Sequence, residues 1–233
     1  MKFYFWLLLL IFMSQNSWSQ DSVKNKPYFY YPKSFNSLQY STVIGISVTK
    51  FPIPIVEDQV NTAPMLNLDF RLGVSKKIDI NFQFYSNYFA NLGSLGFQWM
   101  LLDKRISLAV GENTAVWFGH LELESIQLKS MGVVINPFFS IGYDAKDFKV
   151  TSSLEIQNSY MKTLSHGVLL GEFYRPLSAI SYKFFLEQPL WNEHWVVLGI
   201  KLNYAKFYYQ SWLAYSSIDE YFFYPEFSFG FIL

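Results

Sequence analysis

Between Leu66 and Ser75 apolar and polar residues alternate without a break, Leu66, Leu68, Phe70, Leu72 and Val74 against Asn67, Asp69, Arg71, Gly73 and Ser75. Successive side chains of a strand point to opposite faces, so this segment reads as a β-strand with one apolar and one polar face. After the short Ser75–Lys77 link, Ile78, Ile80, Phe82 and Phe84 alternate with Asp79, Asn81, Gln83 and Tyr85, which predicts a hairpin. The same pattern recurs over Leu95–Leu101, Ile106–Val110, Val133–Tyr143, Phe148–Ile156, Ile180–Leu186 and Val196–Tyr204. It also marks a first strand at Leu38–Thr49 and a last at Phe223–Leu233.

The count is about ten strands of roughly 8 to 13 residues, enough for a tilted strand to cross a bilayer. Eight or twelve strands stay open, because Thr114–Leu128 holds two short alternating pieces (Val116, Phe118; Leu121, Leu123) that either extend their neighbours or form a hairpin of their own. The links alternate as well. Short charged turns at Ser75–Lys77, Asp103–Arg105, Asp144–Asp147 and Glu187–His194 are interleaved with long loops at Phe51–Ala63, Tyr85–Ser94, Gly111–Ser130, Asn158–Ser178 and Ala205–Phe222. Short turns at one end and long loops at the other predict an all-β, antiparallel up-and-down transmembrane β-barrel, with the turns in the periplasm.

Alternation alone does not say which face meets lipid, since a soluble periplasmic lipocalin-like binding barrel shows the same stripes with its apolar side inward. Composition weighs on the membrane side. The chain is 51% hydrophobic, 21% aromatic and only 15% charged, against about 25% charged residues in a soluble domain. The polar face of the clearest strands carries Asn67, Asp69, Arg71, Asp79, Asn81, Gln83, Lys149, Glu155, Lys183 and Lys201, which assigns these residues to a wet lumen. Opposite charges at such spacing predict cross-strand ion pairs. Tyr40, Trp99, Tyr143, Trp195, Tyr204 and Tyr208 stand at strand ends, where an interfacial girdle lies. Lys+Arg and Asp+Glu are both 18, so there is no basic footprint for nucleic acid. With no cysteine there is no disulfide framework and no thiolate metal site.

Residues 1–19 have a secretory signal pattern: Lys2, an apolar run over Leu7–Met13, and Ser17-Trp18-Ser19 as a small-x-small cleavage site before Gln20. The resulting organisation is a signal peptide at 1–19, an N-terminal periplasmic segment at 20–37 and a barrel at 38–233. Within the segment, Tyr28–Lys33 (YFYYPK) either plugs the barrel from the periplasm or lies at the interface as amphipathic aromatics do. Pro52 and Pro54 stiffen the first long loop.

The signal sequence, the RLGVSKKIDINFQF hairpin at Arg71–Phe84 and the terminal FSFGFIL resemble the outer-membrane β-barrel proteins of Gram-negative bacteria. The resemblance is architectural and covers nearly the whole mature chain. It implies that Phe227, Phe229, Phe231 and Leu233 form the terminal signal read by the barrel-assembly machinery, with Leu in place of the commoner final Phe. It also implies the cell outer membrane as location, its lipid and that machinery as partners, and small polar solutes as the molecules a lumen would admit.

Catalytic chemistry needs a nucleophile, a base and an orienting group together. Ser165, His166 and Glu172 permit a Ser/His/Glu arrangement for a barrel-embedded lipid or lipid A hydrolase, although the His-x-Ser pattern of barrel deacylases is absent at all three histidines, His120, His166 and His194. His120 with Glu122 and Glu124 is a solvated polar edge more readily than a cation site, because a metal needs three or four convergent ligands. The expectation is therefore a barrel without enzymatic activity, cofactor or metal, acting as a small channel or as a structural or surface component with a charge-paired lumen.

Overall fold

A computed structural model of the 233-residue chain describes residues 28–52, 62–87, 90–123, 126–145, 147–191, 194–206 and 220–233. The signal-peptide region, Pro54 and Tyr208 lie outside the described residues. The strands are β1 (Tyr40–Lys50), β2 (Thr62–Ser75), β3 (Ile78–Ser86), β4 (Ala90–Asp103), β5 (Ile106–Leu123), β6 (Ile126–Asp144), β7 (Lys149–Ser165), β8 (Val168–Trp191), β9 (His194–Ala205) and β10 (Phe222–Ile232). Each pairs antiparallel with the next. β10 returns to β1 from Val43↔Ile232 to Thr49↔Glu226, closing a ten-stranded barrel. Closure leaves no unpaired sheet edge, the condition under which strands can cross lipid.

Parity fixes the two faces. On β2 the exposed Leu66, Leu68 and Val74 alternate with buried Met65, Asp69 and Arg71, and on β10 Phe227, Phe229 and Phe231 point out while Tyr224, Gly230 and Ile232 point in. The exposed set is almost wholly aliphatic and aromatic, and charged side chains such as Asp69, Arg71, Asp79, Lys149, Glu155 and Glu187 are buried inside. A soluble barrel inverts this arrangement, so the outer belt is a lipid-facing surface and the lipocalin-like alternative does not describe the molecule.

The barrel is lopsided in height. β1, β3, β9 and β10 have 11, 9, 12 and 11 residues, whereas β5, β6, β7 and β8 have 18, 19, 17 and 24. Eighteen residues at about 3.3 Å each, tilted by about 40°, rise about 45 Å, against an apolar band of about 25 Å. This corrects the sequence reading of Tyr85–Ser94, Gly111–Ser130 and Asn158–Ser178 as long loops. Almost all of these residues are strand, and the two short pieces in Thr114–Leu128 extend β5 and β6. Above the membrane the outer face is wet as well, so the apolar-polar contrast that marks a membrane strand fades there. The β7–β8 hairpin ends in a two-residue turn with both central residues in the left-handed region, His166 (φ 47) and Gly167 (φ 81), the backbone that suits the twist of a hairpin. At the other end β8 runs to Trp191, so Glu187 belongs to a strand and not to a turn.

The girdle needs one correction. Tyr40, Trp99, Tyr143 and Tyr204 are exposed on the outer face, but Trp195 is buried inside, packed with Phe29, Val43, Val197 and Ile232.

Candidate functional site

The lumen is organised in levels, and the lowest is filled by the chain's own N-terminal segment. Residues Tyr28–Asn36 enter at the end where the short turns lie. The wholly buried carboxylate of Glu187 accepts the backbone N–H groups of Phe29 and Tyr30 on Oε1 at 2.5 and 2.9 Å, and that of Tyr31 on Oε2 at 2.9 Å. These N–H groups have no strand partner, so an anion aimed at them supplies the bonds that burial otherwise removes.

Arg71 grips the opposite side of the same segment. Its Nη1 donates to the carbonyls of Phe29 and Tyr31 at 2.5 and 2.8 Å, its Nη2 to that of Lys33 at 2.6 Å, and its Nε and Nη2 to Asp79 at 3.0 and 2.6 Å. All five donors of the planar fork are used. Asp79 in turn accepts Phe35 N–H at 3.2 Å, and Tyr30 donates its hydroxyl to Asp69 at 2.5 Å. Lys149 lies 5.7 Å from the Tyr28 and Tyr31 ring centres and 5.4 Å from that of Trp195, within cation–π range. Two glycines make room for the segment. A Cβ on Gly73 would stand 2.3 Å from Asn36 O, and one on Gly142 would stand 2.4 Å from Pro32 Cδ.

Tyr30 and Phe185, stacked at 3.8 Å, form the floor of the next level. Above them lies a polar cavity of about 130 Å³, lined by amides, hydroxyls and charges from most of the wall. Glu155 is buried there and accepts Lys183 at 2.5 Å and Gln157 at 3.2 Å, with Lys201 at 3.5 Å. Around the same space Gln98 Nε2, Asn113 Oδ1, Asn136 Oδ1, Thr151 Oγ1 and Glu226 Oε2 have no hydrogen-bond partner within the described protein. Toward the loop end the inner wall turns apolar, with Leu92, Trp117, Val134 and Met161 on one side and Phe51, Ala179, Ala205 and Tyr224 on the other.

The ten residues read from sequence as lumen-facing, Asn67, Asp69, Arg71, Asp79, Asn81, Gln83, Lys149, Glu155, Lys183 and Lys201, all lie on the inner face, but they serve two levels. Arg71, Asp79, Asp69 and Lys149 belong to the plug, and Asn67, Asn81, Gln83, Glu155, Lys183 and Lys201 line the cavity. Glu187 was missed, although it continues the inward parity of Lys183 and Phe185.

Ser165, His166 and Glu172 are only partly brought together. Ser165 Oγ lies 3.1 Å from His166 Nδ1 at the exposed hairpin tip. Glu172 pairs across the hairpin with Lys162, three ladder positions below the Ser165↔Val168 pair, and its carboxylate accepts the Tyr160 hydroxyl and lies 3.4 Å from Lys162 Nζ. The Tyr160 hydrogen bond, followed by the Lys162 charge, holds the Glu172 carboxyl below its ordinary value. Three positions correspond to about 10 Å along a strand, so this carboxylate orients Tyr160 and Lys162 and not the imidazole. His120 pairs with Glu122 at 3.4 Å on the exposed edge, and Glu124 lies outside the described residues.

A closed antiparallel barrel with a lipid-facing apolar belt and a polar, internally paired lumen is a transmembrane β-barrel of the outer-membrane class. No protein-family model and no curated protein matches the sequence. Among solved structures the chain is similar to the outer membrane protease OmpT of Escherichia coli (9% identity, 89% of this chain and 96% of that chain, TM-score 0.48). It is also similar to the translocator domain of the autotransporter NalP of Neisseria meningitidis (9%, 84% and 88%, TM-score 0.42) and to the N-terminal β-barrel domain of Pseudomonas aeruginosa OprF (7%, 85% and 100%, TM-score 0.35). The class rests on the strand pairing and the two faces of this chain.

Proposed function

We propose that the protein is a non-enzymatic barrel of the outer membrane that passes small, neutral, polar solutes and is closed at its periplasmic end by its own N-terminal segment. The observation that carries this reading is the grip of Glu187 and Arg71 on six backbone groups of Phe29, Tyr30, Tyr31 and Lys33. Beside the apolar contact of Phe29 with Val43, Trp195, Val197 and Ile232, the segment is held by polar atoms of the wall, which stay wetted when the two separate, so release of the segment opens a channel. The cavity supports the solute class. Glu155 and Glu226 balance Lys183 and Lys201 around it, and its volume is close to the roughly 150 Å³ that holds one benzene-sized molecule.

Planar-bilayer recording of refolded protein tests the proposal. The intact chain is expected to conduct rarely, and a variant lacking residues 28–36 to show sustained single-channel steps. Equal traces from the two, with heat-modifiable migration showing both folded, reject the gate and leave a structural barrel. The hydrolase reading is tested separately by His166→Ala. An unchanged lipid A and phospholipid profile is expected, and an altered one overturns the non-enzymatic assignment.

A further inference from the structure

Among the described residues one acidic side chain breaks the outer belt. On β5 the outward row runs Ile106, Leu108, Val110, Glu112, Thr114, Val116 and Phe118, which places Glu112 midway through the apolar band. Its cross-strand neighbours on the same face are Phe97 of β4 and Pro137 of β6. Thr114 donates its hydroxyl to the Glu112 carboxylate at 3.3 Å on the exposed surface, and among the described residues Glu112 has no cationic partner. An acidic group at this depth is unfavourable in hydrocarbon, and ionisable residues inside a membrane usually face a partner.

We propose that the β4–β6 wall is a contact face between two copies of the chain, with Glu112 and Thr114 of each copy hydrogen-bonded across it. Another membrane-spanning segment brings a polar group to this depth. A second copy related by an axis along the membrane normal brings the same carboxyl and hydroxyl to the same level. The pair is self-complementary, because the Thr114 hydroxyl of each copy can donate to the Glu112 carboxyl of the other as it does to its own. The relief of the wall suits close approach. Pro137 lies opposite Glu112 on β6, and on β4 Gly93, opposite Val116 and one step beyond Thr114, is open, a Cβ built there meeting nothing within 4 Å. The contact is independent of the lumen and of its plug.

The chain has no cysteine, so one introduced thiol reports one position. Thr114→Cys in refolded full-length protein, reconstituted in bilayers and oxidised, is expected to give a cross-linked dimer. Ile200→Cys on β9, exposed on the far wall, is expected to stay monomeric. Adding Glu112→Leu to Thr114→Cys should cut the dimer yield at least fivefold while heat-modifiable migration shows the barrel intact. Equal cross-linking at positions 114 and 200, no cross-linking at 114, or an unchanged yield with Glu112→Leu each overturns the proposal.

Discussion

The two lower levels of the lumen use the same kinds of side chain to opposite ends. Around the plug, Arg71 and Glu187 are buried and every Arg71 N–H and both Glu187 oxygens are spent on backbone groups of the segment or on Asp79. In the cavity above, Glu155 is held by its own cluster of lysines, and five other polar atoms on the wall have no partner among the described residues. A saturated polar network specifies one arrangement, and removing one member leaves the others buried without partners. An unsaturated wall accepts whatever hydrogen-bonding molecule enters, water included. The level at the short-turn end is therefore built as a lock and the middle level as a receptacle.

Arg71→Met is the harshest test of that contrast. It strands Asp79 and frees three backbone carbonyls, so a loss of about 3–5 kcal/mol is expected, measured by denaturant unfolding of the refolded protein followed by heat-modifiable migration. The double variant Arg71→Met with Asp79→Leu should recover most of the stability but not the closure, since the plug has still lost its grip. Conductance then separates the two effects. If the single variant keeps wild-type stability, the lower level is not a saturated network.

Glu187→Gln is the next step down. The amide keeps one acceptor and turns a donor toward the N–H groups of the segment. The expected cost is about 1.5–3 kcal/mol, the range for hydrogen bonds to a charged group, with more frequent channel openings in planar bilayers.

The middle level should tolerate comparable edits. Asn113→Ala and Thr151→Val each remove an oxygen that bonds nothing among the described residues, so each is expected to shift stability by no more than about 0.5–1 kcal/mol. Their effect belongs in solute passage through the plug-deleted barrel, read by liposome swelling with a small polyol. A large stability loss in either variant, with passage unchanged, would remove the distinction between receptacle and lock.

Much of this was legible in the sequence and some was not, for physical reasons. The period of two survives wherever one face meets lipid and the other water, so β2, β3 and β10 can be read directly, and Asp69, Arg71 and Asp79 with them. It fails above the membrane, where both faces of β5–β8 are wet and residues such as His120, Lys129 and Lys162 occupy the outer row. That failure turned strands into loops and hid Glu112, whose outward parity shows only once β5 is known to continue through it. Glu187 was lost at a boundary, because a charged residue near a strand end resembles a turn. The aromatic run at Tyr28–Lys33 did suggest a plug. Its partners could not be read, because Glu187 and Arg71 bind it through backbone atoms that carry no sequence pattern.

The smallest expected effect lies at the tip of the tall wall. Glu172 stands outside the apolar band, and its carboxyl is held below the ordinary value of 4.5, first by the Tyr160 hydroxyl and then by Lys162. A carboxyl depressed in the folded state supports that state while ionised. Its contribution is whole above its ordinary value and is lost as pH falls through the lowered one. The pair is exposed, so the effect is local. Hydrogen exchange of the Ser159–Arg175 hairpin should quicken between neutral and strongly acidic pH relative to the shared chemical trend, and Glu172→Gln should exchange fast at neutral pH with no further acid response. The plug residues, locked by Arg71 and Glu187, should show no such difference between wild type and Glu172→Gln. Parallel acceleration of both regions in the variant would mean that the tip and the lock open as one unit.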